Sequence, residues 1–151
     1  MLRFQGLPED FAAEVREKMV APEYGHPAHR SVAQGVGPCR QCLRTFAIGK
    51  DERILFTYQP FREADSLPSP GPVFIHAEAC ERYDSASFPS DLRELPLVLD
   101  AYANGARLLA QARGTGDPVE RLMNLFSRSG ADYIHIRNAE VGCFIARVNR
   151  P

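Results

Sequence analysis

The order of segments in this 151-residue chain predicts an α+β fold: one domain, residues 1–151, with a mostly antiparallel sheet and two helices. An irregular cysteine-bearing loop region completes the expected architecture. Three observations carry this expectation. Phe11, Val15 and Met19 recur every four residues behind a proline, the stripe of an amphipathic helix. Short β-branched and aromatic runs at residues 53–58 and 73–76 are flanked by turn-forming residues and read as strands. The last third alternates in polarity on both sides of a second helical stripe.

Taken in order, the first helix is expected over residues 8–20. Pro8 suits its first turn, and Glu9 and Asp10 suit its positive end. Pro22, Gly25 and Pro27 stop it, and the chain to Pro38 reads as loop. Residues 38–80 then hold the cysteine knuckle and the two short strands. Pro60 ends the first strand, and residues 66–72, with three prolines, read as a surface loop.

Residues 95–150 are expected to form hairpin, helix, hairpin. Asn104-Gly105 is a strong hairpin-turn signal, which places Leu97, Leu99 and Ala101 together on one face. Asp117 and Pro118 are N-cap and first-turn residues. Leu122, Leu125 and Phe126 form the apolar stripe, and Gly130 closes the helix. The last hairpin is expected to turn over residues 138–142, which pairs Arg137 with Cys143, His135 with Ile145 and Tyr133 with Arg147. Alternation then buries Ile134, Ile136, Phe144 and Ala146.

Composition narrows the class. The chain is 44% hydrophobic and 25% charged, ordinary for a globular domain. Its net charge is −1, from 18 basic and 19 acidic residues, so it carries no electrostatic footprint for nucleic acid or anionic membrane. A protein partner or a second copy of the chain is the partner class left. Pro8, Glu9 and Asp10 interrupt the start where an export signal needs an apolar stretch, and no run nears the ~20 apolar residues of a membrane span. Cytoplasmic placement is expected. No nucleotide-binding glycine loop, nucleophile elbow or dense carboxylate cluster is present, and the sequence leans away from an enzyme.

The chemistry sits in the cysteines. Cys39-Arg40-Gln41-Cys42 and His76-Ala77-Glu78-Ala79-Cys80 offer three thiols and an imidazole in two close pairs. Zinc takes such donors tetrahedrally. The intervening stretch is long enough for a hairpin, and the His76–Cys80 spacing fits one face of a helix. The layout resembles treble-clef zinc fingers, in which a knuckle leads into a hairpin and then a helix bearing the fourth ligand. It departs from them in a final spacing one residue longer and in lacking a glycine after Cys42. A structural zinc site at Cys39, Cys42, His76 and Cys80 is the first expectation, within a binding or regulatory module.

Two alternatives accompany it. Cys39 and Cys42 could form a thiol redox or catalytic pair, with Arg40 and Arg44 favouring the thiolate of Cys39. Gly35-Val36-Gly37-Pro38 is not the core strand that precedes such motifs in thioredoxin-like proteins. The four cysteines also suit plain core filling, Cys143 best of all, in its alternating strand. On the last hairpin, Tyr133, His135, Arg137 and Arg147 share a face that could hold a carboxylate or phosphate. The competing reading there is a solvated sheet face paired with acids.

Several strings resemble the bacterial family called domain of unknown function 1203. They are Pro38-Cys39-Arg40-Gln41-Cys42-Leu43, Tyr58-Gln59-Pro60-Phe61, Gly71-Pro72-Val73-Phe74-Ile75-His76-Ala77 with Cys80, and His135-Ile136-Arg137-Asn138-Ala139 with Gly142-Cys143-Phe144. The resemblance spans the middle and end of the chain, leaving the first helix outside. It implies a small α+β bacterial protein and brings no assigned activity.

Overall fold

The computed structural model describes residues 1–60, 71–114 and 116–150. Among these the chain forms two helices and nine strands in two antiparallel sheets, an α+β fold. In chain order they are β1 (Arg3–Gln5), α1 (Glu9–Lys18), β2 (His29–Val32), β3 (Glu52–Tyr58), β4 (Gly71–His76) and β5 (Asp84–Ser85). Then follow β6 (Leu97–Ala103), β7 (Arg107–Ala112), α2 (Pro118–Ser129), β8 (Tyr133–Asn138) and β9 (Phe144–Asn149). Most of the expected loop at residues 66–72 lies outside the described residues, while Gly71 and Pro72 already belong to β4.

The larger sheet runs β5-β1-β9-β8-β6-β7 and the smaller β2-β3-β4. α2 starts where expected: the Asp117 side chain accepts from the Glu120 amide, Pro118 fills the first turn, and Gly130 ends the helix in left-handed conformation. Its Leu122, Leu125 and Phe126 bury against Leu99, Ala101, Ile134, Ile136 and Val148 of the larger sheet. α1 packs Phe11, Ala12 and Val15 onto Ile54, Phe56, Val73 and Ile75 of β3 and β4. Fully burying a side chain of leucine size stabilises by about 1.5–3 kcal/mol, so each layer has a substantial apolar core.

Three strands were not foreseen: β1, β2 inside the presumed loop before Pro38, and β5. β2 is exposed along its whole length, so no buried face marks it in the sequence. β6 also differs from the one-sided alternation expected. All of Leu97–Tyr102 is buried: α2 covers one face, and on the other Asp100 and Tyr102 lie against Gln111, Arg137, Tyr133 and His135. The turn after β6 takes three residues, with Gly105 and Ala106 both at positive φ, and pairs Ala103 with Arg107.

The last hairpin corrects the expected register. The Asn138 amide donates to Cys143 O, so the loop is one residue off from the expected one. Arg137 therefore pairs with Phe144 rather than Cys143. A bulge then shifts the register once more, so that His135 pairs with Arg147 and Tyr133 with Asn149. Two single shifts restore the parity beyond the bulge. Ile134, Ile136 and Ala146 are buried as expected, but Phe144 swings to the opposite face and Ile145 takes its place in the core.

Candidate metal centre

The knuckle begins at a tight chain reversal. Residues 40–42 form a turn, the Leu43 amide donates to Cys39 O (2.9 Å) and the Cys39 amide donates to Arg44 O (3.0 Å). Leu43 stands at φ +60°, the left-handed position a glycine usually fills. It is 1% exposed, and its side chain belongs to the core under α2, so burial offsets the backbone cost of a missing glycine. β3 and β4 form the hairpin that delivers His76, the last residue of β4.

No helix follows His76, which corrects the treble-clef expectation. Residues 77–83 are irregular, because the backbone here is bonded to other segments. The Ala77 amide donates to Glu52 O, the Tyr83 amide to Gln41 O, and the Gly6 amide to Tyr83 O. Cys80 therefore arrives on an extended strap laid between β1 and the knuckle.

The donor atoms of Cys39, Cys42, His76 and Cys80 nevertheless all lie within 4.8 Å of one another. The Sγ atoms of Cys39 and Cys80 are 3.8 Å apart, and Cys42 Sγ lies 3.4 Å from His76 Nδ1. Around a tetrahedral zinc with Zn–S of about 2.3 Å and Zn–N of about 2.0 Å, such edges are about 3.8 Å and about 3.5 Å. These two edges thus match those of a zinc tetrahedron, and all four donors lie close enough to hold one metal ion.

A second layer orients it. The His76 ring turns Nε2 toward the Asp51 carboxylate at 3.5 Å, the arrangement that fixes a metal-bound imidazole through its far nitrogen. The His76 amide donates to Cys39 Sγ (3.3 Å). Arg16, from the last turns of α1, donates through Nη2 to Cys80 Sγ (3.5 Å) and Gln41 Oε1 (2.7 Å), and through Nε to His76 O (3.0 Å). Gln41 is fully buried, and its amide nitrogen donates to Glu9 Oε2 (3.1 Å).

Crowding three thiols and an imidazole shifts their proton affinities. Hydrogen bonds from Cys39, Cys80 and His76 hold the Cys42 thiol well below its ordinary range. The same neighbours, Cys39 and Cys42, push Cys80 far above it, since another thiolate in this space meets two sulfurs already rich in charge. Hydrogen bonding to Cys39 and Cys42 raises His76 to about 10. Cys42 thus favours negative charge and His76 a proton to match it, a balance that a bound cation would replace.

Other expectations for the cysteines divide. Cys39 and Cys42 are buried, whereas Cys143 precedes β9 and is only half-buried, outside the core clusters. Core filling therefore suits it least, not best. The Cys39–Cys42 turn does not open a helix, so no helix dipole favours the thiolate. Arg40 is not a surface group: it is 4% exposed and donates to Phe144 O (2.7 Å) and Pro38 O (2.5 Å). Burial lowers it to about 10.

The face expected to hold an anion is likewise rearranged. Arg137 donates through Nε to Asp100, whose side chain is 4% exposed, so an internal carboxylate matches its charge. His135 is buried, and burial, then Arg147 and Arg137, lower it to about 3, leaving it neutral at pH 7. Arg147 stacks its guanidinium over Tyr133 at 4.0 Å. This face is not an ordinary solvated one.

A small α+β protein with a Cys3His donor cluster is the class these features define. The family model described as "Protein of unknown function (DUF1203)" matches residues 36–150, and the chain belongs to that family. No curated protein and no solved structure matches it. No helix among the described residues is long and apolar enough to cross a membrane.

Proposed function

We propose that Cys39, Cys42, His76 and Cys80 hold one structural zinc ion, and that the protein is a binding or regulatory module stabilised by it. The observation that carries this reading is the convergence of the four donor atoms within 4.8 Å. Three thiolates and an imidazole are the donors zinc prefers, and four protein ligands leave no open position for a substrate. The Asp51 carboxylate behind His76 and the Arg16 guanidinium beside Cys80 support the same reading, since they orient the imidazole and offset the charge of the thiolates. The near-zero net charge favours a protein or a second copy as partner over nucleic acid or membrane. Elemental analysis of untagged protein tests the proposal. Near-stoichiometric zinc is expected, and fully folded protein without metal sinks it.

The depressed Cys42 thiol favours a second reading, thiol redox chemistry at the Cys39/Cys42 pair. Alkylation separates the two. Under the zinc reading, iodoacetamide labels Cys143 alone until a chelator is added. Under the redox reading, Cys42 labels at once without a chelator.

A further inference from the structure

A cavity of about 400 Å³ opens between the larger sheet and the end of β3, on the side of the sheet away from α2. That volume lies within the range of small-molecule sites. Its walls are aromatic: Tyr58 and Phe144 stand 5.5 Å apart between ring centroids, His135 lies 4.9 Å from Phe144, and Tyr133 lies 5.2 Å from His135. Two guanidiniums, Arg82 and Arg147, line the same space, and among the described residues no carboxylate does. Neither arginine makes an ion pair among the described residues.

Both arginines are fixed from behind. Arg82 donates through Nε to Gly6 O (2.9 Å), and Arg147 through Nε to Asn149 Oδ1 (2.8 Å) and stacks on Tyr133. The bonds engage Nε, and among the described residues the terminal Nη groups make no hydrogen bond, so a ligand can reach them. Gln5 pairs with Arg147 across β1 and β9, and Gly6 receives Arg82, so the two cations flank the end of β1. Planar guanidiniums hold a carboxylate by charge-assisted bonds, and aromatic walls favour a flat ring in offset or edge contact.

We propose that this cavity binds a small aromatic carboxylate, its ring among Tyr58, Tyr133 and Phe144 and its carboxylate on Arg147 and Arg82. The site is separate from the cysteine cluster and does not depend on which ion that cluster holds.

Benzoate titrated into the full chain as purified, followed by amide NMR and thermal shift, tests the proposal. Benzoate is expected to raise the melting temperature and to move the amides of Gln5, Gly6, Arg82 and Arg147 while leaving Arg128 on α2 unmoved. Arg147 is exposed, so Arg147→Met should fold, and it should weaken binding about tenfold, the loss of one charged hydrogen bond. Benzamide, which keeps the ring without the charge, should bind at least as poorly. Four results overturn the proposal: no response to millimolar benzoate, inorganic phosphate or benzamide matching benzoate, amide shifts confined to other surfaces, or undiminished binding by Arg147→Met. The amide map decides the matter even if the variant fails to fold.

Discussion

The two halves of the molecule reach stability by different means. Under α2 the core is built of Leu99, Leu122, Leu125, Ile134, Ile136 and Ile145, branched side chains that remove large apolar areas from water. Under α1 and around the knuckle, Phe11, Ile54, Phe56 and Ile75 are joined by a larger share of small residues and thiols, Ala12, Ala21, Ala28, Ala33, Cys39 and Cys42. The same half buries Arg40 and Gln41, as the larger sheet buries Asp100 and His135, and their hydrogen bonds must be kept because an unmatched buried polar group costs about 1–3 kcal/mol. Where small residues and thiols stand among the apolar side chains, each buried residue gains less from burial. Such a region can make up the difference by bonding to an ion.

This contrast can be broken at several points. Ile136→Ala, in the larger sheet, is expected to cost about 3 kcal/mol through cavity formation, read from urea unfolding of the whole domain. Under the proposed zinc reading, Cys39→Ser should abolish metal binding and cost less, about 1–3 kcal/mol, with hydrogen exchange rising in β3 and β4 but not in β6, β8 and β9. Equal loss of protection in both halves would show that the metal holds the entire fold.

Acid provides the next test. His135, lowered to about 3 by burial and by Arg147 and Arg137, titrates near 6.5 when unfolded. Below pH 6.5 the unfolded chain binds more protons. Stability contributed by His135 is thus fully present above pH 6.5 and drains away as the pH falls toward 3, by at most about 1.4 kcal/mol per pH unit. His135→Phe should have a flatter pH dependence than the wild type between pH 6.5 and 5, and parallel curves refute this assignment. The smallest effect is expected from Glu14→Gln, which removes the exposed Lys18 pair on α1. Its unfolding midpoint should match the wild type, since exposed ion pairs are screened by water and salt.

What could be read in the sequence was what local chemistry decides. Asp117-Pro118 and Gly130 marked α2 because caps act within one turn, and Asn104-Gly105 marked a hairpin because positive φ is needed there. The four candidate metal donors were legible because their spacing is itself local in pairs. Arg16, Asp51 and Gln41 were not, since Arg16 reaches its partners 60 and 64 positions away and no pattern announces such contacts. The helix expected after His76 failed for a related reason. A four-residue spacing suits a helix and an extended strap equally, and backbone bonds to Glu52, Gln41 and Gly6 selected the strap. Phe144 was misplaced because the loop closes one residue from where residues 138–142 suggested, and the bulge that restores the parity leaves no trace in the alternation.

The place of β1 in the larger sheet bears on how the chain finds its shape. β1 lies between β5 and β9, and Gln5 meets Asn149 144 positions along the chain. Closing so long a loop is entropically costly, and topologies with distant pairings fold slowly. Joining Cys39 to Cys80 through a shared ion would shorten the search. The Leu7 amide bonds to Arg40 O beside one ligand, and β5 follows four residues after the other. A chain that captures its metal early would hold β1 and β5 side by side before β9 arrives, so ion availability would govern the rate of folding as well as the stability of its product.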